Sequence, residues 1–338
     1  MAPARRASRG SAAVSLGVLA GVVSLVVGCA GADTGRAPGV VDQRGTTMVQ
    51  TVDMEIDGPA TGRTVGVPNR VGSERVRIRA YEPELEPGGK PWATLVWAHG
   101  GSFVRGTLDW PEADWVAHQF ADAGIRVYSV DYALASETVK APAPANDVTA
   151  VLDWAAERAG TDSPLVIGGA SAGAHLAVLA ALNRAERADE GSGRPVAALL
   201  LQYPTLHRVQ QYDGALAAAT SALPDQRRFD AARIAEMYAF YLGDGADEAL
   251  AEVAGEVAQD RLALLPPTAM VNADTDDLRA SAEQFAAQLR AAGVPVSDAI
   301  QPGTVHGYMN RPEESVRARA DAEATIDRFV SELRRVLA

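Results

Sequence analysis

Apolar residues along this chain fall into short runs, separated by longer stretches where they recur every three or four positions. Residues 76–80 (Val-Arg-Ile-Arg-Ala) alternate apolar and charged, the period of a strand with one buried face. Residues 93–98, 125–130, 165–167, 196–201 and 268–271 are short and almost wholly apolar. Runs of that kind suit strands of a parallel sheet covered on both faces. Residues 296–300 complete the series as a last strand-like segment. Between the runs, residues 145–158 put Val148, Val151, Leu152 and Trp154 on one stripe, with Asn146 or Asp147 as the cap. Residues 174–187, 280–292 (stopped by Gly293) and 313–337 also read as helices. Strand–helix alternation predicts right-handed crossovers and a mostly parallel, open α/β sheet with helices on both faces. Functional groups then belong at the carboxyl ends of the strands.

One stretch breaks the rhythm. Residues 206–262 separate two strands by far more than the usual connection of about 4–6 residues. They hold a helix-like segment at 230–241, with Phe229, Met237, Tyr238, Phe240 and Tyr241 around it. Such a stretch is either a peripheral insertion with a small core of its own or a cap over the functional site. Insertions this long on an α/β scaffold favour the cap.

The first residues follow a different logic. Arg5, Arg6 and Arg9 come with no acid, and no charge occurs from Gly10 to Ala32. A basic head and a short apolar stretch read as a secretory signal, with an uncleaved signal anchor or plain cleavage near Ala30 as the alternatives to lipidation. The stretch ends in Val26-Val27-Gly28-Cys29, which resembles a bacterial lipobox, with Cys29 as the residue that takes the lipid and becomes the new N-terminus. Attached acyl chains hold a protein to a membrane by about 0.8 kcal/mol per buried CH₂. The expected organisation is a lipoprotein-type signal peptide over 1–28, a Gly/Thr/Asp-rich spacer over 29–50, and one α/β domain over 51–338. The expected location is outside the cytoplasmic membrane, anchored through Cys29.

Composition narrows the function. The chain has 338 residues, of which 47% are hydrophobic and 22% charged, and a formal net charge of −12. A chain this acidic has no general attraction to nucleic acid. A single cysteine excludes an internal disulfide framework. The five histidines (His99, His118, His175, His207 and His306) form no spaced ligand pair, so neither a metal nor a cofactor is implied.

The chemistry sits in a few short segments. Gly169-Ala170-Ser171-Ala172-Gly173 follows one buried strand and opens a helix, which is the context a Gly-x-Ser-x-Gly nucleophile turn requires. Its glycines allow a turn too tight for side chains, with the Ser171 hydroxyl exposed at the top of the sheet. His99-Gly100-Gly101 follows an earlier strand. Backbone N–H groups of Gly100, Gly101 and Ala172 form the expected oxyanion hole. His306, in Pro302-Gly-Thr-Val-His-Gly-Tyr308, lies on a loop after the last strand and is the candidate base. His99 precedes the nucleophile and His175 lies one turn beyond it, so both read as structural. The orienting acid comes from Asp274, Asp276 and Asp277, all in the loop after residues 268–271.

With these residues in view, the sequence resembles the hormone-sensitive-lipase-like carboxylesterases of the α/β-hydrolase superfamily. The similarity runs from about Val76 to the C-terminus. His99-Gly-Gly-Ser-Phe103 is similar to the family's His-Gly-Gly-Gly-Phe, and Val130-Asp-Tyr-Ala-Leu-Ala-Ser-Glu137 to its Asp-Tyr-Arg-Leu-Ala-Pro-Glu. Gly169-Ala-Ser-Ala-Gly-Ala-His-Leu176 resembles its nucleophile segment, and Asp276-Asp-Leu-Arg279 resembles Asp-Pro-Leu-Arg. That last match selects Asp276 as the acid. Departures are Ser102 for the third glycine, Ala170 and Ala174 beside the nucleophile, and Asp277 for proline. The family's N-terminal cap helices are not expected, because residues 46–80 read as strands, which leaves 206–262 as the main cap. The resemblance implies an α/β-hydrolase fold and a serine carboxylesterase for small-molecule esters with short or medium acyl chains. An amidase or peptidase on the same scaffold, or a non-catalytic surface binding protein, are the other readings. The sequence sets no oligomeric state.

Overall fold

Eight strands pair in one sheet in the order β1-β2-β4-β3-β5-β6-β7-β8 in a computed structural model that describes residues 49–59, 69–160, 163–191, 193–244 and 252–338. The signal segment 1–28, Cys29 and the spacer up to residue 48 lie outside the described residues. β1 (Gln50–Asp57) and β2 (Arg75–Glu82) are antiparallel to each other, and β2 is antiparallel to β4 (Ile125–Asp131). From β4 onward the pairing is parallel, through β3 (Ala93–Ala98), β5 (Leu165–Ala170), β6 (Ala198–Gln202), β7 (Thr268–Thr275) and β8 (Val296–Val305). Every residue of β3, β5 and β6 is buried, as their unbroken apolar runs require.

The helices divide between the two faces. On one face α2 (Ala143–Ala159), α3 (Ala172–Asp189) and α7 (Arg279–Ala291) bury Leu152, Leu176 and Phe285 against Val96, Ile167, Leu199 and Met270. On the other, α1 (Asp114–Asp122) and α8 (Val316–Leu337) bury Phe120, Ile326, Phe329 and Leu333 against Leu95, Trp97, Leu200 and Val271. Adjacent residues of one strand thus serve opposite cores, the two-residue period of a pleated sheet.

Two local expectations are corrected. α2 begins at Ala143, with Pro142 as cap residue, Pro144 in its first turn and no side-chain cap bond. Asp147 is therefore no cap. Its carboxylate accepts from the N–H and hydroxyl of Ser73 and from Ala133 N–H, tying β2's approach and the loop after β4 to the helix. β8 also runs five residues past Ile300, through Pro302 and Gly303. β8 is an edge strand, where a missing N–H leaves no ladder bond unmade.

The insertion 206–262 carries α4 (Gly214–Ser221), α5 (Ala231–Leu242) and the single turn α6 (Gln259–Leu262). Among its described residues it builds no separate core. Ile234, Tyr238 and Tyr241 of α5 enter the main core, and the Tyr241 ring stacks on Phe103 at 4.0 Å between centroids.

Candidate active site

Three loops meet at the carboxyl edge of the sheet because of strand register. Ala98 pairs with Gly169, and Ala170 with Gln202, so the residues after β3, β5 and β6 emerge side by side. Thr275 pairs with Val305 beyond a register shift in β7, which makes Asp276 and His306 the next residues on two adjacent parallel strands. Residues 135 positions apart in sequence are thereby brought together without any long-range coincidence of loops.

Ser171 stands in the turn between β5 and α3 with φ 52° and ψ −116°, a conformation disfavoured for a residue with a side chain. The packing around the turn enforces it. A Cβ on Gly173 would come within 2.1 Å of Ala98 O, and one on Gly169 within 2.5 Å of the Gly173 backbone. Both glycines are thus required by close backbone approach. Ser171 N–H donates to Gln202 O at 2.9 Å, which pins the turn to β6.

The serine, imidazole and carboxylate form one chain of hydrogen bonds. Ser171 Oγ lies 3.0 Å from His306 Nε2, and His306 Nδ1 lies 2.7 Å from Asp276 Oδ2. Asp276 Oδ1 accepts Leu278 N–H at 3.0 Å, so both its oxygens are engaged and its side chain is buried. The His306 ring is held between Tyr203, at 4.7 Å, and Phe229 of the insertion, also at 4.7 Å and edge-on. The other two acids of the loop have separate partners. Asp274 accepts from Gly303 N–H at 2.9 Å and pairs with Arg279 at 3.5 Å. Asp277 accepts from Phe229 N–H at 2.7 Å and pairs with Arg228 at 3.2 Å.

The expected oxyanion donors separate. Gly100 N–H donates to Glu112 Oε2 at 2.6 Å, so it is already engaged and the role expected of it is corrected. Gly101 and Ser102 line the cavity beside Ser171, and among the described residues no protein atom accepts their N–H groups. Ala172 is the first residue of α3, where helix geometry leaves the N–H without an intrahelical acceptor.

Glu112 and Tyr203 carry no sequence motif, and the sequence reading missed both. The Tyr203 hydroxyl donates to Glu112 Oε1, while Glu112 N–H donates to Asn310 Oδ1 at 3.0 Å. Burial beside that carboxylate pushes the Tyr203 phenol well above its ordinary range and keeps it a donor. The only available signal was Tyr203's position just after the end of a buried strand.

His99, His175 and His207 are packing residues, and His118 lies half-exposed with Nε2 4.0 Å from Asp114 Oδ2. His99 stacks on Tyr132, with Nδ1 at 2.7 Å from Gly100 O, and burial lowers its pKa. His175 is fully buried beside the Tyr238 hydroxyl, and desolvation takes it down to about 3, so it stays neutral. His207 contacts Ser281 Oγ at 2.8 Å and Gln288 Oε1 at 3.0 Å. Among the described residues, no group of His, Cys, Asp or Glu side chains is arranged to hold a metal.

The site opens into a cavity of about 450 Å³ lined by Ser171, His306, Gly101, Ser102 and, from the insertion, Gln226, Arg227, Phe229 and Arg233. That size suits a small organic molecule. A nucleophilic oxygen, a base with a buried orienting acid and unengaged N–H donors can together carry out acyl transfer.

A family model described as the α/β-hydrolase fold matches residues 95–310. Carboxylesterase NlhH of Mycobacterium tuberculosis is 33% identical over 282 residues, covering 81% of this chain and 82% of that protein. Esterase LipI of the same organism is 31% identical over 266 residues, covering 77% of this chain and 75% of its own. Among solved structures, carboxyl esterase 2 of Tuber melanosporum superposes with a TM-score of 0.66 at 22% identity, over 87% of this chain and 89% of that one.

Proposed function

The chain belongs to the hormone-sensitive-lipase-like carboxylesterases of the α/β-hydrolase superfamily and is an ester-hydrolysing enzyme, and from that premise we propose that it works as a serine esterase through an acyl-enzyme on Ser171. Ser171 Oγ attacks the ester carbonyl as His306 Nε2 takes its proton. Asp276 fixes the imidazole tautomer and stabilises the imidazolium. The N–H groups of Gly101, Ser102 and Ala172 receive the developing oxyanion. His306 then returns the proton to the leaving alcohol, and water repeats the relay to release the acid. Short or medium acyl chains, or an aromatic or alicyclic alcohol, follow from family likeness alone.

The observation that carries this reading is the continuous Ser171–His306–Asp276 chain, with contacts of 3.0 and 2.7 Å. Ser171→Ala is expected to lower turnover of para-nitrophenyl butyrate by at least ~10⁴-fold with the fold intact by circular dichroism. Near-wild-type turnover would remove Ser171 from the mechanism.

The N-terminal sequence supports a proposal about location, a lipid anchor on Cys29 outside the cytoplasmic membrane. Cys29→Ser is expected to move the protein from the membrane fraction to the soluble one. Retention of the variant in membranes would point to a spanning signal segment instead.

A further inference from the structure

Charge around the site runs against the rest of the molecule. The chain carries 31 Lys and Arg against 43 Asp and Glu, yet among the described residues the cavity beside Ser171 is lined by Arg105, Arg227, Arg233 and Arg311 and a single acid, Glu112. One Glu112 oxygen accepts Gly100 N–H and the other the Tyr203 hydroxyl. Among the described residues no ion pair joins Glu112 to any of the four guanidinium groups.

The arginines form two classes. Arg233 and Arg311 are braced by the site itself. Arg233 donates to Arg228 O at 2.6 Å and lies over the Phe229 ring at 4.5 Å, while Arg311 donates to His306 O at 3.0 Å and also pairs with Glu314 at 3.7 Å. Arg105 and Arg227 have no hydrogen-bond or ion-pair partner for their guanidinium groups among the described residues. Elsewhere arginines are commonly matched to carboxylates, as in Arg79–Asp53, Arg126–Glu82, Arg184–Asp153 and Arg261–Glu186.

Position adds a further argument. A second hollow of about 290 Å³ shares Ser102, Arg105, Phe229 and Arg233 with the first, and continues over Val104, Met237 and Phe240, with Glu236 its one acid. An ester seated at Ser171 thus meets apolar surface on one side and guanidinium groups around the mouth. Arg105 comes from the loop after β3 and Arg227 and Arg233 from the insertion, so substrate would be gripped from both body and cap. A guanidinium fork matches a carboxylate in geometry as well as charge.

We propose that the preferred substrates are esters carrying a free carboxylate, in the acyl or the alcohol portion, held at the cavity mouth by Arg105 and Arg227 with Arg233 and Arg311 adding to the local field. This rests on the esterase reading above and names the substrate class of the same site. The reaction is unchanged: water adds across the ester bond, releasing an acid and an alcohol, while the substrate's carboxylate stays intact.

The test compares matched pairs. For the acyl arm, monoethyl adipate is set against its carboxamide isostere; for the alcohol arm, para-(butyryloxy)benzoate is set against para-(butyryloxy)benzamide. Charge complementarity with the exposed Arg105 and half-buried Arg227 predicts kcat/KM higher for the carboxylate by about tenfold in at least one arm, shrinking as ionic strength rises. The R105A/R227A double variant is expected to lose most of that ratio, and R105K/R227K to retain part of it. Equal or lower kcat/KM for the carboxylates in both arms would overturn the proposal, as would a preference that R105A/R227A keeps. If neither the carboxylates nor the neutral isosteres nor para-nitrophenyl butyrate are cleaved by the wild type, the esterase reading itself has failed.

Discussion

Three acids within four residues were candidates for the orienting acid, with Asp276 preferred over Asp274 and Asp277, and the atoms around each differ. Asp276 alone reaches His306, while Asp274 faces Gly303 and Arg279 and Asp277 faces the insertion. Asp276→Asn is expected to reduce kcat by roughly 10³–10⁴-fold, because the amide holds the wrong imidazole tautomer. Asp274→Asn, assayed in parallel, is expected to stay within about tenfold of wild type. The reverse order would reassign the acid. Ser171 and His306 were readable from sequence because one lies in a five-residue turn whose glycines have a steric cause and the other is the histidine just past the last strand. Glu112 was not readable. It reaches Gly100 from twelve residues on, through a loop with no periodicity, and only its contact shows that Gly100 N–H is unavailable.

Elements were readable where burial is symmetrical. β3, β5 and β6 are apolar throughout because both faces are covered, so their sequence states their place. α1 escaped notice because it spans only nine residues and follows a loop of glycine, proline and tryptophan. β8 was cut short at Ile300 because Pro302 and Gly303 mimic a turn, yet the missed half is what delivers His306 to Asp276. The insertion's link to the body was also invisible. Asp277, where the family has proline, binds Phe229 N–H and Arg228 and so fixes the residue that packs edge-on to His306. Asp277→Ala leaves that buried N–H without an acceptor, which is expected to cost about 1–3 kcal/mol of stability. It should also raise KM more than it lowers kcat, since the hydrogen-bond chain through His306 is untouched. Calorimetry and steady-state kinetics check both parts, and a kcat loss as deep as that of Asp276→Asn would contradict them.

For the molecule as a whole, the sheet is a rigid carrier whose carboxyl edge gathers the reacting groups, while the insertion supplies one wall of the cavity and part of its charge. The alternation of apolar runs and amphipathic stretches stated this architecture in advance, since a parallel sheet has few other ways to bury both faces. What the pattern left out was the field at the cavity mouth, because arginines scattered over the loop after β3, the insertion and the loop after His306 have no spacing to read. The central claim is that a single hydroxyl, strained into the open by Gly169 and Gly173, takes the acyl group. The most direct measurement is peptide mapping by mass spectrometry after inactivation with a fluorophosphonate. The account predicts one adduct, on Ser171, whose yield tracks the loss of ester hydrolysis and which is absent from Ser171→Ala. Complete inactivation with the adduct on another residue, or undiminished hydrolysis with Ser171 fully labelled, would contradict it.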